Sequence, residues 1–147
     1  METEDYMAEA LELARQAASE GETPVGCVIA DGDGKIIGRG RNRREKNSDA
    51  SAHAEIEAIR EAGKAKGGWR LDGCALYVTL EPCPMCAGAI INSRLSKVYY
   101  GAREPATGAC GSVINLFMEY PNAAAVTGGI LETECREALE KFFFSLR

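Results

Sequence analysis

The chain has 147 residues, is 46% apolar and carries a net charge of −5, which suits one substantial core and falls short of two comfortable domains. That charge excludes nucleic-acid binding through overall basicity and leaves only a local basic patch for such a role. The opening Met1-Glu2-Thr3-Glu4-Asp5 is acidic where a signal peptide is basic, and no stretch approaches the roughly 20 apolar residues of a membrane span, so a cytoplasmic protein with no membrane partner is expected.

Apolar residues Met7, Ala10, Leu11, Ala14, Ala17 and Ala18 recur at helical spacing between Tyr6 and Ser19, with Gly21 as a stop. Val25 to Ala30 and Lys35 to Gly38 flank Asp31-Gly32-Asp33-Gly34, the pattern of two strands joined by a tight turn. Arg39 to Ser51 is polar and reads as loop. Ala52, Ile56 and Ile59 then mark one face of a helix ending near Gly63, which puts His53 in its first turn.

After the Gly67-Gly68 break, Cys74 to Leu80 is a continuous apolar run suited to a strand buried on both faces, closed by Pro82 and Pro84. Met85 to Asn92 reads as a small-residue helix, Lys97 to Gly101 as a strand, and Gly108 to Asn122 as a loop-rich segment with room for a short helix. Leu131, Cys135, Leu139, Phe142 and Leu146 form one stripe of a last helix, which assigns Phe142, Phe143 and Phe144 to core or interface packing. The alternation of helices and strands gives an α/β protein with a mixed sheet and helices on its faces, in a single domain over residues 1–147.

Six cysteines lie in a chain able to build its own core, so a disulfide scaffold is not expected. Only Cys83 and Cys86, in Pro82-Cys83-Pro84-Met85-Cys86, sit at ligand spacing, and the one histidine lies in His53-Ala54-Glu55. Three apart at a helix start, the two sulfurs share a side, and the helix N-terminus favours thiolate over thiol. Zinc takes thiolate and neutral imidazole tetrahedrally, and three protein ligands leave the fourth position for water. Coordination lowers the pKa of such a water from about 15.7 to about 7, and Glu55 is placed to carry the protons. Because positions two apart point to different faces in mid-helix, this role requires the metal to lie beyond the helix N-terminus.

Either half alone has ordinary readings: CxxC as a redox pair, half of a structural zinc site or two buried thiols, and HxE as a helix start with a solvated carboxylate. Together and in this order they form the signature of zinc deaminases. Cys27, Cys74, Cys110 and Cys135 have no motif partner and read as small hydrophobes.

Around these motifs the chain resembles the bacterial tRNA-specific adenosine deaminases of the cytidine and deoxycytidylate deaminase superfamily. The likeness includes Thr23-Pro24-Val25-Gly26, Gly40-Arg41-Asn42-Arg43, Leu76 to Cys83, Met85-Cys86-Ala87-Gly88, and Tyr100-Gly101-Ala102-Arg103 with Thr107-Gly108 and Gly111-Ser112. The resemblance implies a three-layer α/β/α sandwich around a five-stranded mixed sheet, one zinc ion per subunit, and a homodimer acting on a tRNA anticodon stem-loop. It implies hydrolytic conversion of the wobble adenosine to inosine, with Asn42 hydrogen-bonding the flipped nucleoside, Ala54 offering backbone to the base, and Val25 and Leu80 as apolar wall. Val25 and Leu80 fit plain core equally well. Where the family often carries an Asn-His-Arg run, this chain reads Pro121-Asn122-Ala123-Ala124, and where a basic tail often follows, it reads Ser145-Leu146-Arg147.

The basic run Arg39, Arg41, Arg43, Arg44 and Lys46 shares its segment with Asn42, where phosphates flanking a flipped nucleotide would pass. A solvated loop explains the same charges. Two other functions are compatible with the motifs: deamination of a free nucleobase or nucleoside such as guanine, cytosine or cytidine, and a non-catalytic zinc-stabilised RNA-binding subunit, against which Glu55 speaks.

Overall fold

The computed structural model describes residues 1–146, so Arg147 of the closing Ser145-Leu146-Arg147 lies outside the described residues. Helix α1 (Thr3–Ser19) leads into the strands β1 (Gly26–Ala30) and β2 (Ile36–Arg41), followed by α2 (Ala54–Lys66), β3 (Ala75–Leu80), α3 (Pro84–Asn92) and β4 (Lys97–Ala102). A short 3-10 helix at Leu116–Met118, the strand β5 (Ala125–Thr127) and α4 (Glu132–Ser145) complete the chain.

The strands form one sheet in the order β2-β1-β3-β4-β5. β1 pairs antiparallel with β2 and β3, while β3–β4 and β4–β5 are parallel. The mixed five-stranded sheet with helices on both faces is the expected sandwich. Side chains alternate across it: Cys27 and Ile29 of β1 join the core under α2 and α3, whereas Val28 and Ala30 join the core under α1 and α4. On the latter side Tyr77 lies between Tyr6 and Tyr99, with ring centroids 4.7 and 4.8 Å away. β3 is buried on both faces, as its unbroken apolar run predicts.

Small residues let the helices approach the sheet. A Cβ at Gly26 would overlap the backbone of α1 at Ala10, and one at Gly38 or Gly40 would overlap α2 at Ala58 or Ala54. The buried face of α2 is accordingly Ala54, Glu55, Ala58 and Ala62, and Ile56 and Ile59 are only half-buried. The isoleucine stripe picks out a flanking face because alanine, the side chain that fits against glycine, carries a weak apolar signal.

Four further details depart from the sequence reading. α2 passes through Gly63 and stops at Gly67, whose φ of +74° supplies the left-handed C-cap. β2 continues to Arg41, so Arg39 and Arg41 lie on a strand rather than in the loop. β5, three residues long, falls in a stretch with no apolar alternation. Of the α4 stripe only Cys135 is fully buried, and Phe143 and Phe144 are exposed rather than core. Trp69, the single tryptophan of the sequence, is exposed beyond the C-terminus of α2, with the Arg70 and Arg94 guanidinium groups 5.3 and 5.8 Å from its ring.

Candidate active site

Two helix N-termini converge at one point. His53 is the N-cap of α2 and Cys83 the N-cap of α3, both with extended backbone, and Pro84 opens α3 at a position where its missing N–H costs nothing. His53 Nδ1 lies 3.7 Å from Cys83 Sγ and 3.5 Å from Cys86 Sγ. The three ligand atoms fall within 4.8 Å of one another, the one such His, Cys, Asp or Glu group among the described residues. All six cysteines are free, and Cys27, Cys74, Cys110 and Cys135 stand outside the group, as expected.

The charges at this point are unbalanced. The Cys83 thiol is held down to about 3, first by its hydrogen bond from Cys86 and then, against burial, by His53. That same bond and burial push Cys86 well above the usual thiol range. His53 is raised, chiefly by its contact with Cys83. Glu55, with only 4% of its surface exposed, is pushed up to about 7 by burial, with His53 and Cys86 pulling the other way. Two sulfurs and a carboxyl crowd one imidazole, an arrangement that a thiophilic divalent cation relieves. The donor set thus fits zinc.

A cavity of about 160 Å³ opens over the cluster, bounded by His53, Glu55 and Cys83 and walled by Val25, Ala54 and Leu80. Val25 also packs in the core beneath, so its two sequence readings coincide. Asn42 borders the cavity and is buried, its Nδ2 donating to Thr23 O at 3.4 Å and its Oδ1 accepting from Arg44 N at 3.2 Å.

The basic run is not uniform. Arg44 borders the cavity, whereas Arg41 makes a two-pronged ion pair with Glu20 at 2.8 and 3.0 Å. Arg43 Nε lies 3.7 Å from Glu57 Oε1. Arg39 and Lys46 are exposed and do not line the cavity. The stretch from 121 to 124 lies away from the cavity lining, with Pro121 and Asn122 exposed and Ala124 buried.

The description "cytidine and deoxycytidylate deaminase zinc-binding region" matches residues 1–102, a span that holds His53, Glu55, Cys83 and Cys86. The chain belongs to this deaminase family. Within the family, the tRNA-specific adenosine deaminase of Bacillus subtilis (strain 168) is 49% identical over 144 residues, covering 97% of this chain and 89% of that protein. A solved structure from studies of A-to-I editing by tRNA:A34 deaminases at the wobble position of transfer RNA matches with a TM-score of 0.86 at 44% identity, over 92% of this chain and 99% of that one. Guanine deaminase from Nitrosomonas europaea shares the fold at a TM-score of 0.84 and 26% identity, over 95% and 83% of the two chains.

Sequence reasoning passed over two glutamates that build this deaminase pocket. Glu22 and Glu81 each have 2% of their surface exposed, and each accepts backbone N–H groups from a segment that borders the cavity. Glu81 stands between Leu80 and the zinc motif, a signal of burial that a composition reading counts as surface charge, whereas Glu22, between Gly21 and Thr23, carries no such signal.

Proposed function

We propose that the protein hydrolytically deaminates the wobble adenosine of a tRNA anticodon to inosine, releasing ammonia. The observation that carries the chemistry is Glu55, buried on the floor of a nucleobase-sized cavity beside His53, Cys83 and Cys86. The substrate is supported by similarity to the tRNA-specific adenosine deaminase of Bacillus subtilis along nearly the whole chain.

His53 Nδ1 and the sulfurs of Cys83 and Cys86 would hold one zinc ion per subunit. When bound, the ion lowers the pKa of a water molecule to about 7 and so supplies a hydroxide nucleophile. Glu55 is the proton carrier. Its carboxylate takes a proton from the attacking water as the C–O bond forms at C6 and delivers it to the adjoining ring nitrogen. It then takes the remaining proton from the new C6 hydroxyl and gives it to the amino group, so that the C–N bond breaks, ammonia leaves and the C6 oxygen becomes a carbonyl. Burial raises the Glu55 carboxyl above the usual carboxylate range, the direction that suits a group which must give a proton back as well as take one. Asn42 holds the nucleoside, Ala54 offers backbone to the base, and Val25 and Leu80 form the apolar wall. A buried carboxylate in reach of the ligands has no use in a purely structural zinc site.

The RNA rim comprises Arg39, Arg41, Arg43, Arg44 and Lys46. A second copy of the chain is the expected partner, supported by the exposed Met85 on α3, the exposed Met118 in the 3-10 helix that packs on α3, and the exposed Val113 and Ile114 just before that helix. Among the described residues no helix is long and apolar enough to cross a membrane.

The test measures ammonia and inosine released from an anticodon stem-loop beside free adenosine, guanine and cytidine. Turnover of the stem-loop alone is the expected result. Turnover of a free base with none of the stem-loop puts the small-molecule reading first, and no turnover of any substrate by zinc-loaded protein leaves the non-catalytic reading.

A further inference from the structure

Three glutamates are buried among the described residues. Glu55 faces the zinc ligands, Glu22 binds the segment after Asn42, and Glu81 has so far no part in the reaction. Glu81 directly follows β3 and extends its pairing with β4, its backbone N–H donating to Ala102 O at 2.9 Å. Its carboxylate is almost completely used. Oε1 accepts from Glu104 N at 3.0 Å and from the Ser112 hydroxyl, while Oε2 accepts from Cys110 N at 2.9 Å and Ser112 N at 3.1 Å.

The donors all lie on one segment, which wraps the carboxylate so closely that a Cβ at Gly108 would overlap it. Ala109 N donates to Pro82 O at 2.8 Å, fastening the same segment to the zinc motif. Two residues of the wrapped segment, Glu104 and Thr107, border the cavity. A loop otherwise short of regular structure is thus folded around one anion.

We propose that Glu81 is a positioning residue for substrate binding: its carboxylate gathers the segment from Glu104 to Ser112 into a fixed wall, so that Glu104 and Thr107 meet the nucleotide already in place. The proposal deepens the deaminase reading and rests on it. Glu81 itself has no free acceptor to offer a substrate. The zinc ligands are held by α2 and α3, outside the wrapped segment, so the wall and the reacting centre are separable.

The experiment is steady-state deamination of an anticodon stem-loop by zinc-loaded Glu81→Gln, with metal content and residue-level amide exchange measured on the same preparation. An amide of the same size sets an N–H against the N–H donors of the segment. KM should rise about tenfold or more while kcat stays within about threefold, the pattern of binding lost equally from ground and transition states. Exchange at Glu104, Cys110 and Ser112 should quicken, with zinc content unchanged.

Ser112→Ala, which removes one donor and leaves the carboxylate, should give a smaller rise in KM and keeps the proposal open to refutation if Glu81→Gln does not fold. Gly108→Ala should raise KM with Glu81 present and add nothing in a Glu81→Ala background, since both changes act on one contact. An unchanged KM and unchanged exchange overturn the proposal. So does a loss confined to kcat and zinc, which would tie Glu81 to its neighbour Cys83 instead. Wild-type protein that never turns over the stem-loop would defeat the substrate reading alone, and the exchange rates would still decide whether Glu81 orders the wall.

Discussion

The Glu22 carboxylate accepts the backbone N–H of Lys46 at 2.8 Å, across a separation of 24 residues. Its other oxygen takes Glu45 N at 3.1 Å. The turn at the C-terminus of α1 therefore carries the rim segment that follows Asn42. Glu22→Ala leaves two amides without their acceptor, at a cost of about 1–3 kcal/mol. Urea denaturation should show a lower midpoint, and amide exchange at Glu45 and Lys46 should quicken. An unaltered midpoint with unaltered exchange would remove Glu22 from this role.

Metal analysis of purified protein should give about one zinc per chain, and Cys86→Ala or His53→Ala should lose metal and activity together. Because the ion binds the folded state, chelation should also lower the thermal midpoint. Full activity in a thoroughly metal-free preparation would end the zinc assignment.

Glu55→Gln should keep its zinc and lower kcat by about 10²–10⁴, the range for loss of a general acid–base group. Burial already disfavours the Glu55 carboxylate, so the thermal midpoint should not fall. If the variant instead lost its metal, Glu55 would be a ligand rather than a proton carrier.

Arg44 and Arg41 should behave differently in a salt titration of stem-loop affinity. Each phosphate contact on a single strand contributes about 0.7 to the slope of log affinity against log salt. Arg44 borders the cavity, so Arg44→Gln should flatten the slope by about that amount. Arg41 is already neutralised by Glu20, and Arg41→Gln should change it less. Equal slopes for wild type and Arg44→Gln would remove this arginine from the RNA rim.

Gly40→Ala places a methyl group against the Ala54 carbonyl. Overpacking of this kind costs about 1–3 kcal/mol, and here the strain falls on the residue next to His53. Denaturant midpoint and zinc affinity should drop together. A variant as stable as wild type would mean that α2 can slide without disturbing the site.

The cluster at His53, Glu55, Cys83 and Cys86 was legible because ligand chemistry restricts residue type as well as spacing, and helix starts are marked by proline and by the onset of periodicity. β3 was legible because a strand buried twice has no polar positions to blur it. β5 was hidden: Ala125 and Thr127 are exposed and Val126 is half-buried, so its pairing with β4 rests on backbone bonds that leave no side-chain pattern. The face of α2 was misread because Ala54, Ala58 and Ala62 pack against glycines, while the larger Ile56 and Ile59 dominate any apolar count. The part played by Glu81 depends on amides far along the chain, a partnership that no local window contains.

Trp69 sits past the C-terminus of α2, and His53 stands at its N-terminus. The sole indole lines a surface groove with Ile59, Gly63 and Asn92 and does not border the cavity over the zinc ligands. Its intrinsic fluorescence should therefore be quiet toward metal loading and nucleotide binding, yet respond when the α2–β3 connection melts. The protein carries a built-in optical reporter of unfolding that is blind to occupancy, so the two processes can be followed separately in one cuvette.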